Sequence, residues 1–135
     1  WPCYCGQVGC IETLVSGPGL ARDHAARHGG QATAAEIAAR ATAGDAEGVA
    51  TLARWEHRLA RSLAHVINLL DPDVIVLGGG LSRIERLYAH VPALWALWVF
   101  SGGLRDPVRT RLVASRHGAS SGVRGAAWLW RDAHI

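Results

Sequence analysis

Asp71-Pro72-Asp73-Val74-Ile75-Val76-Leu77-Gly78-Gly79-Gly80 decides the fold class of this chain. The proline removes a backbone donor and pushes Asp71 out of the helical region, so a helix arriving here must end. Val74 to Leu77 is apolar at every position, the pattern of a strand covered on both faces inside a helix-flanked sheet. Gly78, Gly79 and Gly80 then turn the chain, and Ser82-Arg83-Ile84-Glu85 has capping-box spacing, which predicts a helix start. Strand, glycine turn and capped helix make an α/β unit.

Reading upstream from that unit, Leu52, Leu59, Leu63, Val66, Ile67 and Leu70 recur at helical spacing, so a long helix is expected from about Asp45 to the proline. His65 lies near its apolar stripe and reads as a packed core residue. Thr33-Ala34-Ala35-Glu36 predicts a second capping box and an alanine-rich helix ending by Gly44. Ser16 is placed to cap a short helix through about Arg27. Downstream, a helix bearing Ile84, Leu87, Val91 and Leu94, kinked at Pro92, is expected to end before Ser101-Gly102-Gly103. An extended segment from Val108 to Ser115 follows Asp106-Pro107, and Gly118-Ala119-Ser120-Ser121-Gly122 leads into a closing helix from Val123 to about Trp130.

The chain has 135 residues, about one domain, and its apolar content of 50% is enough to build a core. No apolar run is long enough to cross a bilayer, and nothing resembles a signal segment, so cytoplasm is the expected compartment and no membrane partner is expected. Without any methionine, and with a dense motif at its first residues, the chain is expected to be part of a longer protein. All 14 basic residues are arginine, and the net charge is +3. The arginines are spread singly from Arg22 to Arg131, which argues against a nucleic-acid partner. With no lysine, the ordinary phosphate loop is excluded. Trp95 and Trp98 suit either a core or a contact surface, the latter compatible with a homodimer.

The three cysteines all fall in Cys3-Tyr4-Cys5-Gly6-Gln7-Val8-Gly9-Cys10. With glycines in the connecting loop, three sulfurs can converge on a soft ion, and zinc takes such ligands tetrahedrally with one further position to fill, commonly by histidine. The alternatives are free thiols, or one disulfide with an odd thiol left over. Glu12 follows so closely that a metal-pinned loop would fix its carboxylate, which suits it to sugar hydroxyls. Gly78 to Gly80 either admits a phosphate or nucleotide near a helix start or is a turn that needs permissive angles. Gly118 to Gly122 forms a second such turn. Two turns at the carboxyl ends of neighbouring strands form one crevice, and together they favour a nucleotide. Asp71 and Asp73 read as polar punctuation around the proline.

Cys3 to Glu12 with Ser16-Gly17 resembles the signature of the ROK family of sugar kinases and sugar-responsive repressors. The stretches Ser62 to Gly80 and His117 to Trp128 resemble the carboxyl-terminal half of its bacterial fructokinases. The resemblance spans about Cys3 to Trp130. It implies an actin-like, hexokinase-type (ribonuclease H-like) α/β fold of which residues 1–135 are the carboxyl-terminal lobe. Residues 1–30 would form the zinc and sugar-site loop region and residues 31–135 the nucleotide side. It implies a structural zinc on Cys3, Cys5 and Cys10 with a histidine outside this sequence, and a sugar contact at Glu12. Gly78, Gly79 and Gly80 would form the adenosine-side turn, with Gly118, Ser121 and Gly122 near it, and Mg²⁺ would accompany ATP. The catalytic aspartate would lie upstream. Ala119 stands where related kinases usually carry aspartate, so only backbone donors are expected there. The expected activity is phosphorylation of a hexose, fructose first, by ATP in the intact enzyme. The alternative is a sugar-responsive repressor whose DNA-binding domain lies elsewhere. A free-standing zinc-knuckle module would not explain the strand and its glycine turns.

Overall fold

The computed structural model describes residues 1–100 and 107–129. The helices are α1 (Glu12–Val15), α2 (Gly17–His28), α3 (Ala34–Thr42), α4 (Ala46–Leu70), α5 (Leu87–Ala93) and α6 (Ser121–Trp128). Strand β1 (Val74–Leu77) precedes α5, and β2 (Arg111–Ala114) follows it. Ser101 to Asp106 and Trp130, where the sequence suggested boundaries, lie outside the described residues.

Local chemistry accounts for the starts of three helices. Ser16 Oγ accepts from Gly19 N at 3.1 Å and opens α2, with Pro18 already in its first turn. At α3 the capping box closes in both directions: Glu36 N donates to Thr33 Oγ1 at 3.2 Å, and Thr33 N donates to Glu36 Oε2 at 2.7 Å. Asp45 Oδ2 accepts from Gly48 N at 2.8 Å and starts α4. That helix runs 25 residues until Asp71 turns left-handed at φ 43° before the proline.

The expected box at Ser82 does not form. Gly80–Arg83 winds as a tight 3₁₀ turn instead, and Ser82 Oγ donates back to Gly79 O at 2.7 Å, so α5 starts only at Leu87. Ser82 thus lies inside the turn instead of at an extended N-cap position, so it starts no helix.

The core lies between α4 and the elements packed on it. Leu20, Ile37, Leu52, Trp55, Leu87 and Trp95 are all buried there. Trp95 is therefore a core residue, while Trp98 is half-buried, with the His57 ring edge-on to it and the Arg61 guanidinium over it at 5.0 Å. His65 is exposed, contrary to the core expectation, and bonds through Nδ1 to Arg61 O at 2.7 Å. The apolar stripe of α4 stops being covered near its end, where Val66 and Leu70 are exposed.

Strands β1 and β2 pair in parallel, Val74 opposite Arg111 through Leu77 opposite Ala114. Ile75 and Leu77 pack against the core, but Val74 and Val76 on the other face are 38% and 55% exposed. The expectation of a strand covered on both faces thus holds for one face only. Among the described residues the sheet has two strands, and no element covers its outer side.

Candidate functional site

The parallel register brings the two expected turns together. Ser115 N donates to Leu77 O at 2.8 Å, so the chain leaves both strands side by side, one into Gly78-Gly79-Gly80 and the other toward Gly118. Gly79 adopts φ 82° with ψ −176°, and Gly118 adopts φ 53°. At Gly78, Gly79, Gly80, Gly118 and Gly122 a Cβ would meet nothing within 4 Å, so the backbone borders open space. Ser121 Oγ lies 2.9 Å from both Ser115 Oγ and Gly118 O, so its hydroxyl stitches the turn together.

Two hollows adjoin the triple glycine. A smaller one of about 310 Å³ is bounded by Gly78–Gly80, Ser16, Gly17 and Trp55. A larger groove of about 1250 Å³ runs on past Gly17 and Gly80 between α2, α3 and the segment up to Arg86. That segment is anchored from behind. Glu56 is 2% exposed on α4 and accepts from Arg86 Nε at 2.7 Å and Arg86 Nη2 at 2.9 Å. Such a two-pronged, charge-assisted pair fixes orientation as well as position. Tyr88 adds a hydrogen bond from its hydroxyl to Ser82 O at 2.6 Å.

Neither the groove nor this clamp was foreseen from sequence. The available signal was an acid, Glu56, set among Leu52 and Leu59 on an otherwise apolar stripe. A second buried acid lacks that signature, standing between Leu20 and Arg27: Asp23 on α2 accepts from Arg54 at 2.9 Å and from Arg58 at 2.8 Å. Burial alone would raise its carboxyl, but hydrogen bonds from Arg58 and then Arg54 outweigh that and hold it below the ordinary value.

At the cysteine loop, Pro2 bridges Val8, and Cys3 N donates to Gln7 O at 2.8 Å. Gly6 and Gly9 take φ of 87° and 80°, which folds the backbone back as the glycines suggested. The three Sγ atoms lie within 4.8 Å of one another, and Cys5 and Cys10 are 3.6 Å apart. No disulfide is present, and all three are free thiols. Zn–S bonds of about 2.3 Å at tetrahedral angles require sulfurs roughly 3.8 Å apart, so the donor set fits that ion. Without a metal, hydrogen bonding to Cys5 and then Cys3 pushes the Cys10 thiol up to about 11, while Cys5 is lowered, chiefly by the backbone at Gln7.

Glu12 is exposed at the start of α1, next to this loop. Hydrogen bonds on the residue after it tie α1 to the loop and to α2. Thr13 Oγ1 donates to Cys10 O at 2.7 Å, and Arg22 of α2 donates to Thr13 O at 2.6 Å.

The ROK family model matches residues 1–133. The chain belongs to the ROK family. This ROK chain is 39% identical over 127 residues to an N-acetyl-D-glucosamine kinase of Aliivibrio fischeri, covering 94% of the chain and 41% of that protein. It thus spans about two fifths of the length of the curated relative. Among solved structures it is similar to a ROK family glucokinase from Streptomyces griseus in complex with glucose and AMPPNP, with TM-score 0.84 and 26% identity over 96% of this chain and 47% of that one. A ROK family transcriptional regulator, a homologue of the E. coli MLC protein, superposes with TM-score 0.67 at 23% identity over 84% of this chain and 31% of that one. The last likeness carries the fold alone. The α/β fold is that of ROK sugar kinases, and among the described residues no helix is long and apolar enough to cross a membrane.

Proposed function

We propose that these residues are the carboxyl-terminal, nucleotide-side lobe of an ATP-dependent ROK hexose kinase with an actin-like, hexokinase-type fold. The observation that carries this reading is the meeting of two glycine turns at the carboxyl ends of paired parallel strands, beside a groove wide enough for a nucleoside. Gly78, Gly79 and Gly80 let ATP approach main chain, and Gly118, Ser121 and Gly122 form the facing wall through their backbone. Mg²⁺ would neutralise charge on the phosphates while the γ-phosphoryl group passes to a sugar hydroxyl, leaving ADP. The base that takes the hydroxyl proton is, by the resemblance, an aspartate outside these 135 residues.

Glu12 accepts hydrogen bonds from the sugar. Cys3, Cys5 and Cys10 hold a structural zinc that stiffens the loop leading to it, the fourth ligand being supplied from outside the described residues. The sugar is N-acetyl-D-glucosamine in preference to the fructose that the resemblance suggested, because relatives 39% and 37% identical to this chain carry that name. The test is ADP release by the intact polypeptide with N-acetyl-D-glucosamine, glucose and fructose in parallel. The first should give the highest kcat/KM, and a higher value for fructose would reverse the assignment. Glu12→Gln should raise the sugar KM by about tenfold or more, as expected for losing hydrogen bonds to a charged acceptor. An unchanged KM would remove Glu12 from the sugar site.

A further inference from the structure

The groove beside Gly80 has a wall with little to read a nucleobase by. Its α2 and α3 sides present the methyl groups of Ala21, Ala34, Ala35, Ala38 and Ala39, none of which donates or accepts a hydrogen bond. The two hydroxyls along it already donate within the chain, and both residues are exposed, so the acceptor capacity they keep is shared with water. Thr33 Oγ1 accepts from Glu36 N and donates to Glu36 Oε2 at 2.8 Å, and Thr42 Oγ1 donates to Ala38 O at 3.0 Å. Arg86 is taken up by the buried Glu56.

Also at the groove, among the described residues, are Arg83 and Glu85, both exposed, whose bonds to a base would compete with water. The first turn of α3 also offers main-chain N–H groups. Those are donors only, and adenine, guanine, cytosine and uracil all present acceptors. Strong discrimination arises when a wrong ligand leaves a buried polar group of the site unpaired, and the side chains along this wall offer no such group. Apolar contact with a flat ring is available to any base.

We propose that the site takes its phosphoryl donor without selecting the base, so that ATP, GTP, CTP and UTP are held with affinities within about tenfold of one another. This rests on the nucleotide reading above and adds to it the class of donor: any nucleoside triphosphate. The phosphates, which the donors share, are met by the glycine turns, and the base fills the alanine groove by shape alone.

Isothermal titration calorimetry of the intact polypeptide with the four Mg²⁺ nucleotides, and with inorganic triphosphate as a baseless probe, tests it. The four nucleotides should agree within tenfold and all exceed triphosphate. A preference for one base above tenfold would overturn the inference and leave the nucleotide reading standing. Triphosphate binding as tightly as the nucleotides would show that the groove holds no base and would also overturn it. Binding of none of the nucleotides would overturn the nucleotide reading itself and the inference with it. Ala38→Leu, which fills the groove at a half-buried position, should weaken all four nucleotides together by tenfold or more and leave triphosphate binding unchanged. Selective loss of ATP alone would count against the proposal, and circular dichroism of the variant separates loss of binding from loss of fold.

Discussion

Gly79 sits at φ 82° and ψ −176°, a region that residues with a Cβ avoid. A Cβ there would meet no protein atom within 4 Å, so a side chain would strain the turn and project into the space proposed for the nucleotide. Gly79→Val is expected to cost about 1–3 kcal/mol of stability. It should weaken ATP at least tenfold in calorimetry while the sugar KM of the intact enzyme stays within twofold, the factors being order-of-magnitude expectations for an obstructed backbone approach. Normal ATP affinity would remove this turn from the nucleotide site. Cys10 is the natural residue at which to test the metal. Its Sγ lies 3.6 Å from that of Cys5, and a serine in its place keeps the size but offers zinc a much poorer ligand. Elemental analysis should find about one zinc per intact protein and markedly less in Cys10→Ser. Equal zinc in the two would remove the metal from this loop.

At the scale of elements, α3 shows how far a short motif can be trusted. Thr33 and Glu36 make the complete reciprocal pair, and the helix begins where the motif says. Ser82 and Glu85 have the same spacing but follow three glycines, and the chain uses that freedom for a 3₁₀ turn stabilised by the serine itself. The motif therefore forms where the preceding backbone can be extended at the cap, as Thr33 is at ψ 160°. Thr33→Ala should lower the free energy of unfolding by about 1 kcal/mol. Ser82→Ala should not act through helix capping, because Ser82 caps none. Urea unfolding of both variants checks the contrast, and a neutral Thr33→Ala would mean that the box adds nothing to stability.

Across the whole molecule, α2 is joined to α3 and α4 by polar contacts inside an otherwise apolar interface. Buried His24 bonds through Nδ1 to Thr51 Oγ1 at 3.0 Å, and its Nε2 lies 3.3 Å from Arg40 Nη1. A guanidinium only donates, so Nε2 accepts and Nδ1 carries the proton. Burial first, and then the charges of Arg40 and His28, lower the pKa of His24, with Glu47 and Asp45 opposing from α4 and its cap. The unfolded chain therefore takes up a proton near pH 6.5 that the folded chain resists. Stability from His24 is fully present above about pH 6.5 and is lost as pH falls below it. Asp23, also lowered, keeps its contribution until pH falls below the ordinary carboxylate value of about 4. The urea midpoint should thus fall as pH drops below about 6.5 and fall again below about pH 4. His24→Gln should flatten the first fall. A midpoint that does not change between pH 7 and 5 in the unsubstituted chain would contradict this account of His24.

The sequence by itself determined the signals that act over a few residues. Ser16, Thr33 and Asp45 start helices, Pro72 stops one, and Gly6 and Gly9 fold the cysteine loop back. Each rests on a hydrogen bond or a backbone angle that neighbours in the chain can satisfy alone. The tertiary structure decided what depends on distant partners. It paired β1 with β2 and so brought two glycine turns, 38 residues or more apart in sequence, to one end of the sheet. It opened the groove between α2 and α3, buried Glu56 and Asp23 against arginines 30 or more residues away, and left His65 and Val76 exposed where composition suggested cover. Periodicity marks which residues are apolar, but which apolar face meets another element is set by packing across the whole chain.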